Sequence, residues 1–364
     1  MLLALPAQAQ VLNYDDIFQS PTLTGDWNGA RTRLEDRGVQ LGGDEILETL
    51  GNLDSGKKRG AVVEGRFELF ANVDLEKALG WQGAIFHANA YQIHGEGLSA
   101  HNLDNLLTVS NIEARPATRL FALWVQQSLF NDSVSLRAGQ IAADDEFFVS
   151  QYAPLFINST FGWPAIMGIN LPDGGPAYPV ARPGLRARIA MSPRLTLSAA
   201  LFSGDPVANQ AGFDFHLNGD VFAISELAYS MTMFALPGTL KLGSWIHSGR
   251  FTDQRFDAAH ISLADPMSGA AARHRGDYGG YFILDQLLWR TDGASDTGLG
   301  GFLRVGGNPS DRNLIEFHMD GGLTYAAPFG RASDTIGIGM SYEQVSAAQR
   351  DLTLDYRRLT GLVP

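Results

Sequence analysis

The sequence predicts an all-β fold of antiparallel strands, each with one apolar and one polar face. Apolar and polar residues alternate with a period of two in one segment after another, which is typical of half-buried strands. Glycine occupies 41 of the 364 positions, and only 18% of the residues are charged. No run of about 18 apolar residues is present that could form a transmembrane helix. These observations leave a soluble protein or a transmembrane antiparallel β-barrel, in which alternation hides the hydrophobicity.

The N-terminus predicts a signal-peptide remnant at residues 1–9. The apolar stretch Leu2–Leu5 precedes Ala7, Gln8 and Ala9, which have the small-x-small pattern of a cleavage site. We therefore expect the protein to leave the cytoplasm. Export of a chain without any cysteine suits a Gram-negative envelope better than the small secreted domains that depend on disulfides.

One short helix is predicted before the first strand, within an N-terminal segment at residues 10–42. The stretch GDWNGARTRLEDRG at 25–38 offers Asp26 or Asn28 as the N-cap and Gly38 as the stop signal. The remaining residues, 43–364, contain no conventional linker, so they are expected to form a single β domain.

The alternation predicts roughly 12 to 14 strands, each bounded by turn residues. In GRFELFANVD, for example, Phe67, Leu69 and Ala71 alternate with Arg66 and Glu68. The predicted strand cores are 43–50, 62–75, 82–92, 117–129, 134–141, 184–191, 194–203, 220–231, 239–247, 279–289, 300–306, 313–325 and 335–344.

Three features of these strands favour the barrel over a soluble sandwich. The polar faces carry arginine and glutamate together, which suits a water-filled channel. Glycines such as Gly337 and Gly339 lie on the polar side, where crowding and curvature favour a missing side chain. Aromatic residues near strand ends suggest interfacial girdles; they are Trp81, Tyr91, Trp124, Tyr229, Trp245, Tyr281, Trp289 and Tyr342.

A long stretch at 142–183, rich in proline, glycine and aromatic residues, interrupts the strands. It is too long for a hairpin turn, and long loops without regular structure are often functional. In a barrel, such a loop is expected to fold inward and narrow the pore.

The composition and motifs exclude several classes of function. The absence of cysteine excludes thiol chemistry, and a net charge of −12 argues against nucleic acid as a partner. His94 and His274 have no companions at metal-ligand spacing. An outer-membrane hydrolase that uses His247 or His318 as a base lacks a nucleophile motif. No catalytic residue, metal or cofactor is therefore expected.

Several stretches, taken in order, resemble the carbohydrate-selective porin family (OprB type) of Gram-negative outer membranes. The ordered set carries the resemblance, and it covers most of the chain. The stretches are LTGDWNGARTRLEDRGV at 23–39, DLEKALGWQGAIFHANAYQIHGEGLS at 74–99, VSNIEARPATRLFALWVQQ at 109–127, FSGDP at 202–206, LPGTLKLGSWIHSGRF at 236–251, HRGDYGGYFILDQLLWR at 274–290 and GLGGFLRVGGNPSDRNLIEFHMDGGLTY at 298–325.

The resemblance implies an outer-membrane barrel of about sixteen strands that takes up small sugars passively, glucose-like monosaccharides being typical. The family pattern continues for further strands, so the C-terminal strands are expected to be missing here. Implied partners are small sugars, outer-membrane lipid and lipopolysaccharide, the barrel-assembly machinery and, in a homo-oligomer, further copies of the chain. A general diffusion porin without sugar selectivity and an exported sugar-binding β-sandwich remain the alternatives.

The predicted pore residues are charges on the polar strand faces together with one aromatic residue. Arginine, glutamate and aspartate exchange hydrogen bonds with sugar hydroxyls, and opposed acid and base groups would orient a neutral polar solute. Trp163 in the long loop is the predicted stacking platform for the apolar face of a pyranose. The full predicted set is Arg66, Glu68, Glu113, Arg119, Arg137, Asp144, Glu146, Trp163, Arg186 and Arg188.

Overall fold

The computed structural model describes residues 22–206, 211–212, 219–290, 298–328, 331 and 334–361. The predicted signal-peptide remnant at 1–9 lies outside these ranges, as does the first part of the segment at 10–42. The division into a segment and a barrel domain therefore stays a prediction.

Thirteen antiparallel strands form one sheet, in which each strand pairs with its neighbours in sequence. The all-β antiparallel prediction is thus confirmed, and the two packed sheets of a sandwich are not what the described residues form. The strands are β1 (Val39–Asn52), β2 (Gly60–Asp74), β3 (Ala84–Gly95), β4 (Ala117–Leu129), β5 (Val134–Ile141), β6 (Arg182–Ser192), β7 (Leu195–Ser203), β8 (Val221–Met233), β9 (Leu236–Asp257), β10 (Ala271–Arg290), β11 (Gly298–Gly307), β12 (Ile315–Ala326) and β13 (Thr335–Val345).

Each predicted strand core coincides with one of these strands, but β9 and β10 are longer than predicted. Both continue past the apolar alternation into polar residues such as Arg250 and Arg275, which pair with each other across the ladder. The predicted bounds of both strands lie where the apolar alternation ends. Backbone pairing does not require an apolar face, so the strands extend further.

The described residues form five α-helices: α1 (Ala30–Asp36), α2 (Leu75–Leu79), α3 (Ser159–Gly162), α4 (Ala165–Gly168) and α5 (Ala347–Leu359). The predicted helix at 25–38 is present as α1, but neither Asp26 nor Asn28 is its N-cap. Gly29 holds that position in a left-handed conformation. The side chain of Asp26, which lies upstream of Gly29, instead accepts a hydrogen bond from the backbone N–H of Thr32. Within the described ranges, no helix combines the length and apolar character needed to cross a membrane.

The C-terminal helix α5 is missing from the sequence prediction. Its N-cap Ser346 accepts the backbone N–H of Gln349, and Arg255 of β9 pairs with Asp351 and Asp355 on the helix. Ser346 and Gln349 have the Ser-x-x-Gln spacing of a capping box, a helix signal that a search for period-two alternation does not detect.

The two faces of the sheet differ as the alternation predicts. Apolar residues on the outward face are exposed, among them Leu69, Leu185, Leu242 and Ile338. The opposite face carries the charged residues and curves around residues 142–181, here called the inner loop. Tyr178 in this loop lies beside β2, whereas Asn170 bonds to the start of β12.

The aromatic girdle prediction is wrong for half of its members. Trp81, Tyr229, Trp289 and Tyr342 are exposed. Tyr91, Trp245 and Tyr281 are buried and Trp124 half-buried, all on the inner face, where they contact the inner loop or line a cavity. Residues directly opposite each other in an antiparallel pair lie on the same face of the sheet. Each of these four aromatic residues is paired with an inward-facing residue of a neighbouring strand, so its side chain also faces inward.

The connections differ between the two ends of the sheet. One end has tight turns such as 130–133, 193–194 and 234–235, and the other has longer loops, including 96–116 and 258–270. The inner loop starts from the long-loop end. Strands β1 and β13 are the two edges of the described sheet, and no ladder between them is present among the described residues.

Candidate functional site

The inner loop is anchored to the inner face of β8–β13, here called the loop-bearing wall. The central anchor is Arg304 of β11, which is fully buried. Its guanidinium donates to the carbonyl oxygens of Phe148 and Thr160, at 2.8 Å each. It also forms an ion pair with Asp320 on β12. One buried arginine thus ties two points of the loop to two strands.

A second anchor lies on β8 and β9. Glu226 accepts the Phe148 N–H at 3.1 Å and the Tyr281 hydroxyl at 2.8 Å. Lys241 donates to the Val149 carbonyl at 2.7 Å. Phe148 has a φ of 59°, and its ring stacks on Tyr281 with 4.0 Å between centroids. Hydrogen bonds from both sides hold the loop backbone in this left-handed conformation.

Further contacts extend the anchoring along the loop. Asp285 of β10 accepts the Gln151 N–H, and Asn170 exchanges hydrogen bonds with the backbone of Ile315. Apolar residues of the loop, including Phe147, Ile166 and Met167, complete a buried cluster on this wall. Apolar packing and hydrogen bonds together thus hold the inner loop against the loop-bearing wall.

The opposite side of the inner loop faces the inner face of β2–β6, here called the open wall. A cavity of about 350 Å³ lies between them, within the range typical of small-molecule sites. We call it the niche. Its lining residues are Glu68, His87, Asn89, Tyr91, Phe121, Ala122, Trp124, Arg137, Asp145 and Glu146.

Trp124 forms an aromatic surface in the niche. Its ring stacks against His87 with 4.9 Å between centroids. The guanidinium carbon of Arg137 lies 3.9 Å from the centre of the indole, which is a cation–π distance. The open wall therefore places a flat apolar surface directly beside a fixed positive charge.

Glu146 of the inner loop supplies the opposing negative charge. It pairs with Arg137 of β5 at 3.0 Å and with Arg186 of β6 at 2.8 Å. The two arginines are cross-strand partners, so Glu146 also relieves the repulsion between them. The inner loop thus places a carboxylate against the two arginines of the open wall.

The adjacent aspartates of the inner loop are also acidic groups of the site. Burial raises the pKa of Asp144, and the neighbouring Asp145 raises it further. Asp144 accepts the Tyr178 N–H at 2.9 Å. The Asp145 side chain is exposed towards the niche. Partial desolvation by the surrounding loop and wall raises the pKa of its carboxyl, against the opposing effect of Arg137.

The rim of the niche is built around Arg66 and Glu68 on β2. Arg66 lies 4.7 Å from the ring centre of Tyr91 and 3.5 Å from Glu68. Glu68 in turn accepts a hydrogen bond from Asn89 at 2.7 Å. Cationic, anionic and amide groups therefore alternate on one aromatic-backed surface.

The other predicted residues lie apart from the niche. Arg119 is buried and donates to the Pro179 carbonyl of the inner loop. Glu113 accepts the N–H groups of Ser99 and Ala100, and so stabilises an outer loop. Arg188 is exposed on the inner face of β6, opposite Ser135.

Trp163, the predicted stacking platform, packs within the inner loop. Its indole N–H donates to the Gly174 carbonyl at 2.8 Å, and its ring contacts the buried cluster of the loop-bearing wall. Trp124 is the indole that lines the niche.

Sequence reasoning missed seven of the ten residues that line the niche: His87, Asn89, Tyr91, Phe121, Ala122, Trp124 and Asp145. The first three follow the inward alternation of β3 and could have been found by extending the reasoning used for β2.

Trp124 was hidden by a bulge. The register shifts between Asn89 and Ala90, so that Asn89 pairs with Ala122 but Ala90 pairs with Leu120. The Gln140 side chain donates to the carbonyls of Leu120 and Phe121 at this point. The extra residue lets Arg119 and Trp124 both face inward, although simple alternation would separate them.

Comparisons with known proteins agree with this architecture. The family model described as "Carbohydrate-selective porin, OprB family" matches residues 58–364. The chain is 25% identical to Porin B of Pseudomonas aeruginosa over 343 residues, which cover 88% of this chain and 73% of that protein.

Two solved structures of Pseudomonas putida OprB resemble the fold. The high-pH structure has a TM-score of 0.86 at 23% identity, covering 95% of this chain and 84% of the other. The low-pH structure has a TM-score of 0.58 at 20% identity, covering 89% and 83%. At these identities the likeness concerns the porin fold.

The family match extends over most of the chain, which agrees with the single sheet, its apolar exterior and its charged interior. The family is one of channels rather than enzymes. Consistent with this, His247 and His318, considered above as bases, are buried and bonded to the Gly204 carbonyl and to Glu343. The chain belongs to the carbohydrate-selective porin, OprB family.

Proposed function

We propose that the niche is the selective segment of a sugar channel, through which glucose-like monosaccharides diffuse one at a time. The observation that carries the proposal is the juxtaposition of the Trp124 ring with the Arg137–Glu146–Arg186 ion-pair group around one cavity. A pyranose has an apolar C–H face and a rim of hydroxyls that both donate and accept. The Trp124 ring is the counterpart of the apolar face, and the ion-pair group is the counterpart of the hydroxyls.

The chemistry of passage sets the strength of binding. A channel must replace part of the sugar's hydration and still release the sugar. A dissociation constant near millimolar, about 4 kcal/mol of binding free energy, meets both conditions. The niche is open to water on one side, and its charged groups already pair with one another, which keeps binding weak.

The ten predicted pore residues divide into three roles in this proposal. Glu68, Arg137 and Glu146 contact the sugar in the niche, and Arg66 forms its rim. Arg186, Asp144 and Arg119 hold the inner loop and its charges in place. Arg188 lies further along the inner face, while Glu113 and Trp163 stabilise loops.

The proposal also covers the surroundings of the protein. We place the chain in the outer membrane of a Gram-negative cell, in contact with its lipid and lipopolysaccharide, after insertion by the barrel-assembly machinery. The exposed apolar outer face supports a lipid environment. Association with further copies of the chain is compatible with that face.

The test is single-channel conductance of the full chain in planar bilayers, with sugar added to one side. We expect glucose to reduce ion current at millimolar concentrations. Ion conductance without any block by sugars would indicate a general diffusion porin and contradict the proposal. Mannitol, which lacks a pyranose ring, is the matched control solute and should block less.

A further inference from the structure

A cluster of three arginines lies on the outside of the sheet, at its long-loop end. The outer arginine cluster consists of Arg250 on β9 and Arg273 and Arg275 on β10. Together with Ser248 and Asp220, the three side chains line a polar cavity of about 500 Å³. Nothing in the sugar pathway uses these residues.

The cluster faces away from the pore. Arg250 follows Ile246 and Ser248 on the exposed, outward side of β9, whereas His247 and Phe251 are buried on the inner side. On β10, a register shift between Arg275 and Asp277 turns Arg275 outward while Asp277 stays buried on the inner face.

The position along the strand corresponds to the edge of a bilayer. From Leu236 to Ile246, the outward face of β9 spans about 33 Å along the strand at ~3.3 Å per residue. At a tilt of about 40°, this is close to the ~25 Å height of the apolar band of an outer-membrane barrel. Ile246 and its cross-strand partner Tyr278 are both exposed, and they mark the upper border of that band.

The arginines begin just above this border. Arg275 is three residues beyond Tyr278, and Arg250 is four beyond Ile246. With the same rise and tilt, the backbones of Arg275 and Arg250 lie about 8 to 10 Å above the border, and that of Arg273 about 13 Å above it. A long arginine side chain extends back towards the interface from such a position, which is the level of lipid headgroups.

The electrostatics of the cluster call for an anion. Arg250 and Arg275 are direct cross-strand partners, and like charges in this arrangement repel. Within the described part of the chain, none of the three guanidiniums forms an ion pair or a side-chain hydrogen bond. The only acid in the cavity lining is Asp220, which already accepts a hydrogen bond from Ser248 at 3.2 Å.

We infer that the outer arginine cluster binds the phosphate groups of a lipid headgroup in the leaflet at the long-loop end. Arginine forks match phosphate oxygens with paired hydrogen bonds, and three such forks around one cavity suit a headgroup with more than one phosphate. The occupant is a membrane lipid, because the cluster adjoins the apolar band and faces outward. The inference rests on the proposed membrane placement and adds a specific site to it.

The test is native mass spectrometry of the detergent-solubilised full chain with bis-phosphorylated lipid A and with its dephosphorylated form. We expect wild type to prefer the phosphorylated lipid about tenfold, equivalent to ~1.4 kcal/mol. The triple variant R250Q/R273Q/R275Q should lose this preference. The triple lysine variant should keep part of it, because charge remains while the planar fork is lost.

The matched control is R194Q, which removes an exposed arginine from the turn at the opposite end of the sheet. It should retain the full preference. An unchanged preference in the triple glutamine variant, or equal displacement of the lipid by inorganic phosphate at matched concentration, would overturn the inference. Heat-modifiable gel mobility confirms that each variant is folded.

Sugar block of single-channel current separates this inference from the proposed function. The triple glutamine variant should show the same block as wild type, since the cluster lies outside the pore. If wild type binds the phosphorylated lipid but shows no sugar block, the proposed function fails and the lipid site stands.

Discussion

The two walls of the pore share one alternation pattern but have opposite roles. On the loop-bearing wall, charged residues such as Arg304, Glu226 and Asp285 are buried and bonded to the backbone of the inner loop. On the open wall, Arg66, Glu68 and Arg137 pair with side chains, and Glu68 and Arg137 line the cavity. The inward charges of this sheet therefore differ in whether the inner loop covers them or leaves them open to the niche.

This comparison implies that variants on the loop-bearing wall change the shape of the pore, whereas variants on the open wall change its selectivity. The four predictions below test the difference, from the largest expected effect to the smallest.

Removing the central anchor should have the largest effect. In R304M, the carbonyls of Phe148 and Thr160 lose their donor, and Asp320 is left as a buried charge with His318 as its remaining ionisable neighbour. Breaking a buried ion pair costs about 3–5 kcal/mol. We expect a lower unfolding temperature and strongly fluctuating single-channel current, because the inner loop is released.

The matched control is R188M, which removes an exposed arginine from the inner face of β6. It should unfold at the wild-type temperature and show steady current. Steady current in R304M would mean that the loop does not depend on this anchor.

The second prediction concerns the acid that bridges the two walls. E146Q leaves Arg137 and Arg186 without their carboxylate partner, so the niche becomes more positive. We expect a severalfold shift of the permeability ratio towards anions. Sugar block should weaken about tenfold, in line with the 1.5–3 kcal/mol of hydrogen bonds to charged groups.

Reversal potentials in a salt gradient and sugar titrations measure these two changes. E96Q is the control, because Glu96 is an exposed loop acid paired with His101. A reversal potential in E146Q equal to that of wild type would place the selective charges elsewhere.

The third prediction distinguishes the two indoles. W124A removes the aromatic surface of the niche, and we expect the dissociation constant for glucose to rise about three- to tenfold, as the ~0.5–1.5 kcal/mol of an aromatic contact implies. Trp163 lies in the inner loop and bonds to Gly174, so W163F should bind glucose as wild type does. The opposite result would support Trp163 as the stacking platform.

The sequence predicted the strands well because period-two alternation reports directly on which face of a strand meets lipid. All thirteen predicted cores coincide with strands. It also predicted a loop that folds inward, and the alternation placed Arg137 and Arg186 on the polar faces of their strands.

Sequence reasoning failed where one residue depends on a distant one. The bulge at Asn89 and Ala90 is stabilised by Gln140 of another strand, so no local signal placed Trp124 in the niche. Trp163 looked like a platform because a tryptophan in a loop gives no indication of its partner. The Gly174 carbonyl that fixes its ring becomes its neighbour only once the loop is folded.

The smallest predicted effect is a pH dependence that arises from the inner loop. Protein around Asp145 raises its pKa, so its folded form holds a proton at higher pH than an ordinary aspartate does. Between the ordinary pKa and this raised value, the folded state binds more protons than the unfolded state. Protonated Asp145 therefore stabilises the folded state fully at low pH. This stabilisation is lost as the pH rises through the raised pKa of Asp145.

The channel should follow the same titration. As pH falls from about 7 to about 5, Asp145 loses its charge, Arg137 keeps its own, and the permeability ratio should shift towards anions by about twofold or less.

D145N lacks the titrating group and should show a smaller pH shift, with an anion preference at pH 7 close to that of wild type at low pH. Equal pH shifts in D145N and wild type would assign the titration to another carboxylate. Because the effect concerns a cavity-facing acid near Arg137, it belongs to the open side of the loop and should not release the anchor at Arg304.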